Sequence, residues 1–487
     1  MSDFIVALDQ GSSSSRALAF DAAGDVVARV QAPVRTYSPR PGWVEHDAEE
    51  LCESQERALD RLLARLPRRG KVQALAFACQ RSTVVLWDAR TGKAICRVPS
   101  WQDARAAESV APMHARQAEI HAKTGLYLTP YYSAPKIRFL MQSEPRARVL
   151  LKEGRLRIGP VSSYLLWRWS GGRIFACDPS MAQRTLLFNL QSGGWDESLL
   201  DAFGIARRCL PEILPSAGNW GSLSRQGREL PVRACLGDQQ AAAYGMGSRP
   251  GVGVLNYGTG AFVLLNVGTN AARVPGLLTS VAWREPAAAV PQYLLEGTVH
   301  SAGSSLEWLR RLGLLKDVRG ADAACSQSKR RIWALAAIGG LGAPRWDYRT
   351  PSAYFGLDAQ SEPADLVRAT IESVAFLVSD IVSAMREAGH EMREARVSGG
   401  LSELRYLMRF QADLLGLPLR AVAEKEATAL GAAALAGREI GWNWKRAERA
   451  FFRREYTPGI SGDEAARLRS RWRCFVQALQ NLSAQLQ

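Results

Sequence analysis

The sequence predicts an α/β chain built from two duplicated domains with a cleft between them, and three observations carry that prediction. The first is size. A chain of 487 residues, 47% hydrophobic and 22% charged, belongs with globular proteins that bury a large core of their own. Length alone suggests about three domains. The second observation is a pair of like-patterned segments half a chain apart, which reduces that number to two. The third is the alternation of short apolar runs with amphipathic helical stretches between them. Collagen-like, disulfide-scaffold and low-complexity classes are excluded by the same composition.

In chain order, the first of the paired segments reads Phe4-Ile-Val-Ala-Leu-Asp-Gln-Gly-Ser-Ser-Ser-Ser-Arg-Ala-Leu-Ala-Phe20. An apolar strand, a turn of Gly and hydroxyl residues, and a second apolar strand make a hairpin signature. Strand-like runs follow at Val72–Ala78 and Val84–Trp87. A domain boundary is expected near Pro250-Gly251, dividing the chain into residues 1–249 and 250–487. The second hairpin follows at once: Gly253-Val-Leu-Asn-Tyr-Gly-Thr-Gly-Ala-Phe-Val-Leu-Leu-Asn-Val-Gly268. Helical periodicity is clearest over Ala364–Ala388, where Val367, Ile371, Val374, Val378, Ile381 and Met385 recur at steps of 4, 3, 4, 3 and 4 before Gly389. Val397-Ser398-Gly399-Gly400 reads as a strand running into a turn, and Leu404, Leu407, Met408 and Leu415 mark the helix after it. Small residues dominate Ala427–Gly437, a helix able to approach a neighbour closely. Either hairpin alone reads as an ordinary tight turn. Two of them suggest one phosphate-binding loop per half, because bare Gly and hydroxyl tips leave backbone N–H groups open to an anion.

The charge balance is 62 Lys+Arg against 47 Asp+Glu, a net +15. A nucleic-acid partner would call for a basic stripe or tail, whereas here the arginines are scattered. The densest cluster, Arg65 to Lys71 with Arg68 and Arg69, sits at an expected helix end. The excess is therefore read as a solvated surface, with no nucleic-acid partner. Eight cysteines are widely spaced without a CxxC pair, and five histidines show no ligand spacing. Reduced, mostly buried thiols in a cytoplasmic protein are expected, rather than disulfides or a zinc site. The longest apolar stretches are interrupted by Gly, Asn, Tyr or Thr, so neither a membrane span nor a secretory leader is predicted.

Nine motifs, in order, resemble those of the FGGY carbohydrate kinases, and most closely the branch that phosphorylates glycerol. They are Leu8-Asp-Gln-Gly-Ser-Ser-Ser-Ser-Arg16, Pro41-Gly-Trp-Val-Glu-His-Asp47, Gln80-Arg81, Trp101-Gln102, Arg184-Thr-Leu-Leu-Phe-Asn189, Gly237-Asp-Gln-Gln240, Tyr257-Gly-Thr-Gly260, Gly340-Leu-Gly-Ala-Pro344 and Gly399-Gly400. The resemblance implies two actin/hexokinase-type (ribonuclease H-like) domains with an interdomain cleft. It implies ATP and Mg²⁺ as cofactors, a small polyol or sugar as substrate, and pairing as homodimers or homotetramers.

Residue by residue, the resemblance makes Asp238 the catalytic base, which takes the proton of the acceptor hydroxyl. Without it, an Asp in a Gly-Asp-Gln turn reads as a helix cap. Asp9, otherwise a turn residue, becomes with Asp238 the Mg²⁺-associated carboxylate; one or two carboxylates suffice for that ion. Arg81, Ser82, Trp101, Tyr131, Asp238, Gln239 and Phe262 match the acceptor contacts. Tyr132 reads equally as core or as pocket wall. Gly11, Ser12, Ser13 and Arg16 form the first nucleotide loop and Gly258, Thr259 and Gly260 the second. Gly303, Glu307, Gly400 and Leu404 complete the nucleotide set.

Three departures stand out. Ser12 and Ser13 replace threonines, which keeps the hydroxyl. Ser82 replaces a glutamate that accepts hydrogen bonds from the polyol; losing one charge-assisted bond costs ~1.5–3 kcal/mol. Weak use of glycerol, or a larger acceptor such as a pentulose, is the expectation. Leu404 and Arg405 stand where the branch carries an Asn pair, and Glu307 where it carries Gln. A sugar- or nucleotide-binding sensor of kinase fold is the reading of a different class, and retention of both Asp9 and Asp238 argues against it.

Overall fold

The computed structural model describes residues 3–67, 70–423, 426–444 and 452–486. Arg68 and Arg69 of the basic cluster lie outside the described residues. The chain forms two compact units. The first takes Met1–Gly247, Ser280–Tyr293 and Glu426–Arg449; the second takes Ser248–Thr279, Leu294–Lys425 and Ala450–Gln487.

The first unit rests on a six-stranded sheet. Its strands are β1 (Phe4–Gln10), β2 (Ser14–Phe20), β3 (Val26–Pro33), β4 (Val72–Cys79), β5 (Ser222–Arg225) and β6 (Arg228–Gly237), in the order β5-β6-β4-β1-β2-β3. The predicted hairpin is β1–β2, antiparallel, with Asp9 opposite Arg16. On its other side β1 pairs in parallel with β4, and β4 with β6. Parallel strands are covered on both faces, which is why Ile5 to Leu8 and Ala74 to Cys79 are continuously apolar and buried. Helix α1 (Ala48–Arg65) buries Leu51, Ala58, Leu59, Leu62 and Leu63. Asp47, the last residue of the Pro41–Asp47 motif, caps it by accepting from Glu49 and Glu50 N–H.

Helix α2 (Ser133–Ser143) begins after Tyr132, which is buried. Helix α3 (Asp238–Gly245) starts where β6 ends. The small-residue segment forms the helix Ala427–Glu439, which packs on α3 in this unit. A Cβ on Gly431 would lie 1.8 Å from the Ala241 carbonyl oxygen, and one on Gly245 2.1 Å from that of Ala427. Glycine at both positions is what lets the two backbones touch.

A seven-stranded sheet organises the second unit, apart from Ser280–Trp283 of its edge strand and the first two residues of the strand beside it, which the division above counts with the first. It comprises β7 (Val252–Tyr257), β8 (Ala261–Gly268), β9 (Leu278–Trp283), β10 (Gln292–Val299), β11 (Glu394–Ser398), β12 (Leu419–Val422) and β13 (Phe452–Tyr456), in the order β9-β10-β8-β7-β11-β12-β13. The second hairpin is β7–β8, antiparallel, and β7 pairs in parallel with β11, as β1 does with β4. The pairing pattern of the first sheet is thus repeated. Helix α4 (Gly303–Arg311) follows β10. Helix α5 (Pro363–Glu387) buries all six periodic residues from Val367 to Met385, and Glu362 with Asp365 forms its capping box. Helices α6 (Arg405–Leu415) and α7 (Gly462–Leu486) complete the layer. All eight cysteines are free thiols, six of them buried. No described helix is long and apolar enough to cross a membrane.

Candidate active site

In the first unit, the carboxyl ends of three neighbouring parallel strands set the site, the edge where open α/β sheets bind ligands. Cys79 of β4 is in register with both Gln10 of β1 and Gly237 of β6. The residues that follow, Gly11, Gln80 and Asp238, therefore leave the sheet side by side.

Asp9 is the penultimate residue of β1, with its side chain 13% exposed. Burial, then the charge of Asp238, push its pKa up from 3.8 to about 7; Arg16 counteracts and Glu426 adds to the rise. Asp238 opens α3. Burial raises its pKa too, against the Arg81 guanidinium 3.5 Å away and the Gln239 N–H donating at 2.7 Å. Arg16 lies 3.9 Å from Asp9 and 3.2 Å from Glu426, and Arg29 is 3.7 Å from Glu426. Arg16 is thus shared between two acids.

Around these groups Gln80 acts as organiser. Its amide donates to the Gly11 carbonyl at 3.2 Å, and its oxygen accepts from Ser12 Oγ at 3.3 Å and Thr83 Oγ1 at 2.8 Å. Thr83 in turn accepts from the Trp101 backbone N–H, and Trp101 Nε1 donates to Ser12 Oγ at 2.8 Å. The first loop and the acceptor wall are therefore joined. Ser13 is exposed at the loop tip. Trp101 and Tyr131 keep 44% and 49% of their surfaces open, an aromatic wall facing solvent. Gln239 Oε1 finds no hydrogen-bond partner among the described residues. Ser82 holds a left-handed backbone (φ 64°) and turns its hydroxyl back to the Arg184 carbonyl at 3.3 Å.

In the second unit, the turn Gly258-Thr259-Gly260 joins β7 to β8. Its carbonyls accept from the start of α4: Gly303 N–H donates to Gly258 O, and Ala302 and Ser304 N–H to Thr259 O, each at 3.0 Å. A Cβ on Gly260 would lie 2.5 Å from Val299 O, and one on Gly303 2.7 Å from Gly258 O. Gly400 follows β11 beside β7, where Asn256 donates to Ser398. The structure thus gathers Gly258, Thr259, Gly260, Gly303 and Gly400, with Phe262 half-buried on β8.

Two predicted nucleotide residues do not join them. Leu404 is 4% exposed and packs in the hydrophobic core, because its position just ahead of α6 points it inward. Glu307 lies on the surface of α4, bound to Arg310 at 2.6 Å, which holds its carboxyl below the usual range. Sequence reasoning missed Glu426, which reaches Arg16 across 410 positions, and the organising roles of Gln80 and Thr83. No local signal marks the first; the second was present in the Gln80-Arg81 motif.

Among the described residues no group of three or more His, Cys, Asp or Glu side chains could hold a metal ion. A hard cation needs less. Two carboxylates, one of them with its proton affinity raised by the charge of the other, are a donor set suited to Mg²⁺ completed by water and phosphate oxygens.

Residues 4–245 match the N-terminal domain of the FGGY family of carbohydrate kinases and residues 253–440 its C-terminal domain. The chain belongs to this family, and it is an ATP-dependent carbohydrate kinase. It is 40% identical to the glycerol kinase of Alkalilimnicola ehrlichii, with 97% of each chain covered, and 37% identical to that of Symbiobacterium thermophilum, with 99% of each covered. The structure superposes on Plasmodium falciparum glycerol kinase with ADP at a TM-score of 0.94, 27% identity and 98% of each chain. A xylulose kinase from Rhodospirillum rubrum shares the fold at a TM-score of 0.89 and 22% identity, with 99% of this chain and 100% of that one covered.

Proposed function

We propose that this chain transfers the γ-phosphate of ATP to a primary hydroxyl of glycerol or a close polyol, with Asp238 as the base. The observation that carries the assignment is the placing of Asp238 and Asp9 at the ends of the two strands that flank β4, with the Asp238 proton affinity raised by burial. A carboxylate with raised pKa is a better proton acceptor for a hydroxyl that becomes acidic only as the phosphoryl group arrives. Arg81 keeps Asp238 ionised enough to serve and fixes its orientation. Trp101 and Tyr131 offer apolar faces to the carbon skeleton, and Gln239 offers a free amide oxygen to a hydroxyl.

On the nucleotide side, Gly11 to Ser13 and Gly258 to Gly260 present small-residue turns suited to phosphate oxygens. Asp9 and Asp238 would hold Mg²⁺, which when bound neutralises charge on the transferring phosphoryl group. Residues 1–249 then supply the acceptor side, the first phosphate loop and the catalytic Asp, and residues 250–487 the nucleotide side with the second phosphate loop. A cytoplasmic setting fits this chemistry, since ATP is supplied there.

A second acceptor class is favoured by one observation. Ser82 is short and its hydroxyl is turned back onto the Arg184 carbonyl, which suits a longer acceptor such as a pentulose. An ATP-consumption screen of the purified chain against glycerol, erythritol, ribitol, xylulose, ribulose and gluconate decides between them. Fastest turnover of glycerol supports the leading reading, and preference for a ketose supports the second. Consumption with none of the six would count against both. Ser82→Glu is expected to shift the glycerol-to-xylulose ratio toward glycerol; an unmoved ratio would remove residue 82 from the acceptor contacts. Asp238→Asn is expected to lower kcat by ~10²–10⁴ while acceptor binding survives, and full activity would refute the base assignment.

A further inference from the structure

We propose that Asp178 and Ser180 are positioning residues that aim Asp238, through a buried hydrogen-bond relay ending on the residue before it. The inference rests on Asp238 being the base. Asp178 is fully buried and accepts four hydrogen bonds: from Ser180 N–H at 3.1 Å, Ser180 Oγ at 2.9 Å, Met181 N–H at 2.9 Å and Ser216 Oγ at 2.7 Å. Ser180 Oγ in turn accepts from Gly237 N–H at 2.9 Å.

The direction of this relay is fixed by proton count. A serine hydroxyl has one hydrogen, and Asp178, ionised and acceptor-only, takes it. The oxygen lone pairs must then face Gly237. Gly237 closes β6 and precedes Asp238 in the turn that starts α3. The same short segment carries Arg184, whose charge favours the ionised form of Asp238 and whose carbonyl receives the Ser82 hydroxyl. One buried stretch, residues 178–184, therefore braces both the base and the position where the acceptor pocket departs from its relatives. That gives the Arg184–Asn189 motif a task that hairpins and phosphate loops left unexplained.

A fully buried carboxylate is a poor choice for stability alone, because apolar side chains of similar volume often serve as well or better. Reacting groups, in contrast, must be held closely, and a shift of about 1 Å can cost ~10²-fold in rate. Ser180→Ala leaves Gly237 N–H without its acceptor. Asp178→Asn keeps the size but replaces one of the two acceptor oxygens by an N–H donor, which meets the Met181 N–H and Ser180 Oγ in one orientation of the amide and the Ser180 N–H in the other, so the relay loses an acceptor either way.

The test measures kcat, KM and Tm of Ser180→Ala and Asp178→Asn, with the acceptor the parent turns over fastest in the screen above. Ser163→Ala, which removes a buried hydroxyl bonded to Ala176 O in the same unit, serves as the stability control. The expected result is a kcat lowered ten-fold or more in both relay variants, with KM within two-fold and Tm loss no larger than in the control. A folded relay variant with unchanged kcat would overturn the proposal, as would a loss that merely tracks Tm across all three. Asp238→Asn is run alongside. If it is active the base reading itself fails, whereas an inactive Asp238→Asn beside a fully active Ser180→Ala removes only the relay.

Discussion

Replacing Asp9 with Asn is expected to inactivate this kinase and at the same time make it more stable. In the folded chain the Asp9 carboxyl has its pKa raised from 3.8 to about 7, first by burial and then by the Asp238 charge. At about 1.4 kcal/mol per pH unit, ionising it in the native state costs about 4 kcal/mol more than in the unfolded chain. The sign follows from proton binding: between pH 4 and 7 the native state holds a proton that the unfolded state has lost, so stability falls as pH rises through that window. Below pH 4 both states are protonated and above pH 8 both are ionised, so the cost is absent at one end and constant at the other. Asn keeps the shape without the charge, and Arg16 retains Glu426 at 3.2 Å. Allowing for relaxation around the ion, Asp9→Asn is expected to gain about 2–4 kcal/mol at pH 8 and no more than about 1 kcal/mol at pH 4.5. Thermal melts of parent and variant in EDTA across pH 4.5–8.5 measure the gap. Saturating Mg²⁺ and ATP should narrow it by stabilising only the parent. A variant less stable than its parent at pH 8, or a gap equal at both ends of the range, would refute the reasoning.

Three other substitutions probe separate links. Gly431→Ala drives a methyl into the Ala241 carbonyl, and since backbone cannot rotate away, a loss of about 3 kcal/mol is expected in denaturant melts. Trp101→Phe removes the indole bond to Ser12; a lost bond worth about 1 kcal/mol predicts roughly five-fold higher acceptor KM at steady state, with the fold intact. Gly260→Ala forces a Cβ to within 2.5 Å of Val299 O and is expected to raise the KM for ATP while leaving the acceptor KM near the parent value. Equal rises in both would place the turn elsewhere in the reaction.

The elements legible in the sequence are those whose signal is local. Both hairpins could be read from apolar runs flanking Gly and Ser, and α5 from six residues spaced on one face. The tips of the hairpins and the acid opening α3 were legible as motifs. What escaped was long-range. The small-residue helix Ala427–Glu439 was recognised as able to pack closely, but its partner α3 lies about 190 residues earlier, and no periodicity encodes a partner. Leu404 shows the converse: a motif position was carried over as a contact, and only the fold shows that the side chain just ahead of α6 packs into the core. Glu307 and Arg310 could have been paired beforehand, since residues three apart on a helix are neighbours.

The same distinction changes the meaning of the charge at the phosphate side. The family resemblance put Arg16 in the first nucleotide loop, as the basic residue there. Folding instead divides Arg16 between Asp9 and Glu426, and commits Arg81 to Asp238. With Arg29 also on Glu426, three acids here face three arginines, so this patch is charge-balanced and not a positive trap for a triphosphate. An anionic nucleotide approaches such a surface only with its charge already reduced. This is the condition under which two mutually repelling carboxylates are an asset: their raised proton affinities mark an unmet demand for a cation, and a nucleotide that brings one satisfies the demand and the acids together. Neutralising Glu426 by substitution with Gln tests this directly. If Arg16 were the main phosphate contact, freeing it should tighten ATP. On the present reasoning the KM for ATP stays within about two-fold while the dependence on Mg²⁺ concentration is retained.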